Sequence, residues 1–265
     1  MSKLEQSEDR WVTRMGAWFP GERVVFRGKD LHVDLGNETW PDVHLFGITG
    51  YRFNDAELSL INAMWVMTSF PDPRLWNNRI AALAGTVRST GTLGIAAAIA
   101  ASEAALYGGQ PLIRAFDFFR RAWRGVKDGG GLANFVVTEL SQHRSIAGFG
   151  RPIVREDERI EHILAKARKL GLDNGPHTRL AFEVEEILLK KRYRLKLNYA
   201  GLSAALCADM EFNPRQFYFA SMLGFLAGMP PCYLDGLEHP EGTFFPFRCD
   251  RVKYEGVPPR RWEDG

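Results

Sequence analysis

Arg151 stands directly after a glycine turn, "SIAGFG", and heads the run "RPIVREDER". A guanidinium keeps its proton to above about pH 12, so it is no base near neutrality. It can hold a carboxylate or polarise a carbonyl oxygen as an electrostatic group, or it can make an ordinary surface ion pair. Tyr107, in front of Gly108 and Gly109, can donate a hydrogen bond as a weak acid or simply pack at a helix end. His143 and Asp72 are further acid–base candidates, although a lone histidine is more often structural or exposed. Ser203 and Asn198 carry hydroxyl and amide groups that can serve in a site; residues of these types more commonly cap helices. Cys207, on the same helical stretch as Ser203, reads as an inert buried thiol.

The elements that must position these residues are mostly helical. "NDAELSLINAMWVMTSF" places Leu58, Ile61, Met64 and Trp65 at helical spacing behind Asn54 as N-cap, and Pro71 and Pro73 end the pattern. "NNRIAALAGTVRST" and "GTLGIAAAIAASEAALYGG" read as two helices, the second stopped by Gly108 and Gly109. Its small residues invite close approach and mark it as the central helix of a bundle. "PLIRAFDFFRRAWRGVKDGGG" is amphipathic, with its basic residues on a solvated face and Gly129 to Gly131 as terminator. Four further helices follow in "RIEHILAKARKLG", "HTRLAFEVEEILLKKRY", "KLNYAGLSAALCADM" and "NPRQFYFASMLGFLAGM", the last with Pro214 in a first turn. Residues 22 to 36 suit a small hairpin, and the tail "PFRCDRVKYEGVPPRRW" is extended.

Composition narrows the function classes. With 265 residues, 45% of them apolar, the chain can bury one sizeable core, with or without a smaller lobe. Lys and Arg number 34 against 32 Asp and Glu, intermixed, which points to neither a nucleic-acid nor a membrane partner. Three cysteines without ligand spacing give neither a disulfide framework nor a metal site. The charged start "MSKLEQSEDRW" has no apolar signal-peptide core, so a cytoplasmic setting is the default expectation.

Taken in order, these stretches resemble the citrate synthase superfamily, including citryl-CoA lyases, in short bacterial form, from about Trp40 to Trp262. "AALYGGQ" stands where the family has a histidine before two small residues. "IAGFGRPIVREDER" stands at its glycine turn, histidine and Asp-Pro-Arg, "LNYAGLSAALC" at its Asn-Val-Asp, and "FYFASMLGFLAG" at its Ser-Arg; "VKYEGVPPR" is similar to its closing segment. The resemblance implies an all-α fold with minor N-terminal strands. Its large helical domain comprises residues 1–110 and 206–265, and a small lobe, 111–205, closes over a cleft. It further implies a homodimer and coenzyme A as part of an acyl-CoA substrate. The turn Ile146, Ala147, Gly148, Phe149 and Gly150 would approach the adenine, and Arg155 would meet the phosphates.

The matching positions depart from the family at its chemistry. The histidines fall on Tyr107 and Arg151, the aspartate on Ala200 and the Ser-Arg arginine on Met222, while Arg159 keeps the arginine of the Asp-Pro-Arg motif. Loss of a guanidinium removes a bidentate carboxylate clamp, so oxaloacetate is expected to be a poor substrate. Tyr107 and Arg151 at the family's histidine positions, Ser203 and Asn198 close to Ala200, and His143 outside the family positions are the catalytic candidates, with Arg159 and Met222 binding substrate beside Leu202. The implied function is making or breaking a carbon–carbon bond on a CoA thioester bulkier and less charged than citrate. The alternative is a catalytically silent CoA-binding paralogue with a regulatory or structural role.

Overall fold

The computed structural model describes residues 2–106, 108–151, 154, 156–191, 193–243 and 248–264. They form eleven α-helices, three short antiparallel strands and short 3-10 turns, the all-α fold with minor N-terminal strands that the sequence predicts. The chain divides into two compact units, one of Met1–Phe70 with Ser102–Leu226, the other of Pro71–Ala101 with Ala227–Gly265. Residues 102–226 share one core with the first seventy.

In the first unit, strands β1 (Gly16–Phe19), β2 (Arg23–Phe26) and β3 (Lys29–Asp30) pair in sequence order. Phe26 meets Phe46 of α1 (Trp40–Thr49) edge-on at 5.9 Å, and Arg27 donates to the Gly47 carbonyl near the end of that helix. Helix α2 (Asp55–Thr68) begins with the expected Asn54 cap, completed by Glu57 as a reciprocal capping box. Helix α5 (Gly109–Lys127) buries Leu112, Ala115, Phe116, Phe118, Phe119 and Ala122 along one face. Arg114, Arg121 and Arg124 lie on its exposed face, and Arg121 bridges Asp117 and Glu139 of α6 (Leu132–His143).

The central helix is α9 (Tyr199–Asp209), almost every residue of which is buried. Its Gly, Ala and Ser content lets α5 and α8 (Pro176–Lys190) pack close against it. Asp209, at its end, accepts the backbone N–H groups of His177 and Thr178, the Thr178 hydroxyl and the His177 ring at 2.7–2.9 Å. The first turn of α8, whose own N-cap is Gly175, is thus capped from a neighbouring helix. Helices α7 (Arg159–Leu170) and α10 (Pro214–Leu226) complete the unit, with Phe217 of α10 stacked on Phe116 at 4.6 Å. The stretch Pro214–Glu238 is long and apolar enough to cross a membrane by length and composition, a test that a core helix also meets. Phe217, Ala220 and Gly224 of that stretch are buried within the unit.

The second unit packs α3 (Trp76–Thr86) against α4 (Gly91–Ala101) and α11 (Met229–Glu238). A Cβ on Gly94 would stand 2.7 Å from that of Ala84, so the small residues of α4 do permit close approach. The expectation that α4 is a central helix ending at Gly108 is corrected on both counts. It ends at Ala101 and buries only Gly94 and Ala98, and Gly108 instead precedes α5 as its N-cap. An alanine run has no apolar stripe to fix which face is inward or where the helix stops.

Replacing Asp209 with alanine removes a cap that serves four donors. Asp209→Ala is expected to lower the unfolding free energy by about 2 kcal/mol, read from urea denaturation at neutral pH. A change within experimental error would show that the α8 terminus finds its partners elsewhere.

Candidate functional site

The glycine turn after α6 is built by the segment that enters α9. Gly150 donates to the Lys196 carbonyl at 2.7 Å and Asn198 donates to the Gly148 carbonyl at 2.9 Å, with a bridge pairing Phe149 and Leu197. Gly148 has φ 92°, and a Cβ there would lie 2.7 Å from Cα of Gly201 in the first turn of α9. The turn therefore touches α9 backbone to backbone, which only glycine allows at these positions. Ile146 and Phe149 are buried, and Ala147 is half-buried. The close approach that these residues permit is one within the chain.

Beyond the turn, one carboxylate organises the surroundings. Asp157, with 1% of its side chain exposed, receives Nε and Nη2 of Arg159 at 2.8 Å each and the backbone N–H of Tyr199 at 2.8 Å. Arg159 also lies over the Tyr199 ring, 4.5 Å from its centroid. Burial alone would push the Asp157 carboxyl up, but Arg159, the Tyr199 N–H and Arg151 outweigh it and hold it below its ordinary value.

Arg151 reaches the same carboxylate at 3.7 Å and binds the exposed carboxylate of Glu158 at 2.5 Å and the Glu156 carbonyl at 3.3 Å. It therefore has an ion pair, the structural alternative raised by the sequence. Asn198 caps α9 by accepting from Gly201, and its amide donates to the Gly150 carbonyl at 2.7 Å. Ser203 is buried and donates back to the Tyr199 carbonyl, at 2.8 Å. His143 is exposed in the last turn of α6. Asp72 belongs to the second unit and is held by Arg74. Tyr107 and Arg155 lie outside the described residues. Leu202 is fully buried in α9, Met222 is half-buried on α10, and Ala200 is half-buried in the first turn of α9. Burial pushes the Cys207 thiol up, in keeping with an unreactive core cysteine.

Ile61, Met64, Trp65, Leu112, Tyr199 and Ser203 help line a small cavity beneath α9 and α10 of about 20 Å³. That is room for a single water and not for an acyl group. Among the described residues, no group of three or more His, Cys, Asp or Glu side chains is placed to hold a metal ion.

Two features were not read from the sequence. Asp157 was legible in principle, as an acidic residue between Arg151 and Arg159, yet its tie to Tyr199 spans 42 residues. The second is a contact between the phenol of Tyr218 and Glu103 at 2.6 Å, across 115 residues.

Solved structures of citryl-CoA lyases and citrate synthases superimpose on the chain. A citryl-CoA lyase from Hydrogenobacter thermophilus matches with TM-score 0.83 at 23% identity, over 95% of this chain and 96% of that one. An ATP citrate lyase from Methanothrix soehngenii, solved with citrate and coenzyme A, matches with TM-score 0.75 at 18% identity. The match covers 97% of this chain but only 44% of that one. A citrate synthase from Thermoplasma acidophilum, solved with carboxymethyl coenzyme A and oxaloacetate, gives TM-score 0.63 at 16% identity over 86% and 60%. In sequence, no family model and no curated protein matches the chain. At these identities the likeness establishes the fold.

Asp157→Asn should unfold with about 3 kcal/mol less stability at pH 7, because it leaves two guanidinium groups facing a neutral amide in a buried site. Since the native carboxyl is held below the ordinary aspartate value of 3.8, its contribution is present above that value and lost as pH falls through the native one. The gap between wild type and variant in urea titrations should accordingly close below pH 3.8. A gap of constant size down to pH 2 would contradict this assignment.

Proposed function

We propose that the protein makes or cleaves a carbon–carbon bond on a coenzyme A thioester whose partner or acyl group carries less charge than citrate. The carrying observation is whole-length superposition on a citryl-CoA lyase, 95% of one chain on 96% of the other, combined with altered carboxylate-binding positions. Arg159 is retained, but both edges of the Asp157 carboxylate occupy its fork. Met222 stands where the family pattern has a second arginine, and Ala200 where it has the catalytic aspartate. A guanidinium already bound in bidentate fashion has little left with which to clamp a substrate carboxylate, so a citrate-like dicarboxylate is disfavoured.

In this reading the turn Ile146–Gly150 and Arg155 bind the nucleotide, Tyr107 donates a hydrogen bond to the developing oxyanion, and Met222 borders the acyl group. A cleft closed by a small lobe, a homodimer and a cytoplasmic setting are part of the proposal. One observation favours the second reading, a silent CoA-binding paralogue: the side chains of Arg151, Asn198 and Ser203 are all engaged within the chain. Chemistry without them needs a base from elsewhere.

The purified protein, screened against a panel of acyl-CoA thioesters by thermal shift and mass spectrometry, is expected to be stabilised by coenzyme A and to turn over at least one thioester. Stabilisation without turnover supports the silent reading, and absence of any CoA effect overturns both. Acetyl-CoA with oxaloacetate should give no citrate above background, and citrate formation at an ordinary synthase rate would refute the lowered charge of the substrate. Arg155→Ala should weaken CoA binding about tenfold or more, the worth of a charge-assisted contact, and unchanged calorimetric affinity would displace the nucleotide from this turn.

A further inference from the structure

Removing the α-proton of an acyl thioester requires a base, and the expected positions offer little. Ala200 has no acid group, Arg151 is a permanent cation, Asn198 and Ser203 are bound to backbone, and His143 is exposed at the end of α6. The segment leading into α5 supplies a carboxylate instead. Glu103 Oε1 accepts the Tyr218 phenol at 2.6 Å, and Oε2 accepts the Gln110 amide at 3.0 Å.

The pair is close in the chain to two of the altered positions. Tyr218 precedes Met222 by one turn on the same face of α10, and Glu103 precedes Tyr107 by four residues in the chain. The segment carrying Glu103 is held in shape: Gly109 donates to the Ser102 carbonyl at 2.6 Å, and Arg114 of α5 holds the Ala105 carbonyl. Gly108 has φ 134°, and a Cβ there would overlap the Ser102 carbonyl, so the closure needs glycine. Glu103 is exposed and Tyr218 half-buried, which leaves the pair open to a ligand. The hydrogen bond from Tyr218 to Glu103 raises the phenol's pKa, keeping the phenol protonated at neutral pH.

We propose that Glu103 and Tyr218 are the proton-transferring pair of the CoA-thioester reaction, with Glu103 as base and Tyr218 as acid. This rests on the CoA-thioester reading. In the condensing direction the Cα–H bond breaks, its proton passing to Glu103 and its electron pair into the enolate. Cα then bonds to the carbonyl carbon of the second substrate, and the resulting alkoxide takes the Tyr218 proton. The phenolate recovers a proton from the Glu103 carboxylic acid across their hydrogen bond, which restores both groups with no external acid, base or redox partner. Cleavage runs the same steps backwards.

The test is α-deuterium incorporation into acetyl-CoA and propionyl-CoA in D2O, read by mass spectrometry, with CoA binding measured by calorimetry on the same samples. Wild type should catalyse exchange. Glu103→Gln should bind CoA as wild type does but exchange at least about 100-fold more slowly, and Glu103→Asp should recover part of the rate. Tyr218→Phe removes only the acid, so turnover of any thioester that wild type makes or cleaves should fall at least about 100-fold while exchange falls less; a merely structural pair would give no such split. Exchange at the wild-type rate in Glu103→Gln, or loss of exchange in Tyr218→Phe equal to that in Glu103→Gln, overturns the assignment. So does a wild type that binds CoA without exchanging either thioester. A wild type that fails to bind CoA overturns the underlying reading instead.

Discussion

The buried carboxylate of Asp157 is the point on which the described site depends. It accepts the first N–H of the central helix α9 from Tyr199 and binds Arg159 at the start of α7 in bidentate fashion, with Arg151 close by. A buried charge with one partner removed is strongly destabilising, so these groups constrain one another. The carboxylate neutralises the guanidiniums, and they keep it ionised in a place where burial would otherwise protonate it. The helix terminus adds an uncharged donor that satisfies a further lone pair.

That anchor fixes the depth at which the glycine turn can meet α9. With Tyr199 held, Gly201 presents its bare Cα to Gly148, and the two paired residues on either side, Phe149 with Leu197, set the register. A methyl group at either glycine would force the turn away from the helix and stretch the bonds that Asn198 makes to Gly148 and Gly150. Asn198 and Ser203 therefore belong to the framework, and the hydrogen bonds that place them also leave them little capacity for a substrate.

Much of this fold was legible because its helices carry an amphipathic stripe and recognisable ends. The capping box at Asn54, the phenylalanine face of α5 and the Gly171 terminator of α7 are all local signals. Helices α1, α6 and α11 escaped because their signals are weak: α1 fully buries only Leu45, and α11 opens on Pro230 and Pro231, which read as breakers until placed in a first turn. The candidate site was harder to read for a different reason. Its residue types were visible, but whether an arginine or asparagine is free or bound depends on partners dozens of residues away, and no periodicity encodes them. The same distance hid Glu103 and Tyr218 from each other.

The arrangement of arginines bears on what such a site can recognise. A dicarboxylate substrate is held well by guanidiniums that face water before the ligand arrives, since binding then exchanges solvent for a bidentate partner. Here Arg159 has exchanged solvent for Asp157 during folding, and Arg151 for Glu158 and the Glu156 carbonyl. Recruiting either to a substrate would first require breaking a pair that folding has already made, at a cost greatest for the buried one. In the proposed reading Met222, half-buried on α10, offers only dispersion and burial in place of a charge, and selectivity would shift toward apolar shape. Under that proposal a thioester whose acyl partner is neutral would lose nothing by this exchange, whereas citrate would lose the interactions that distinguish it from water.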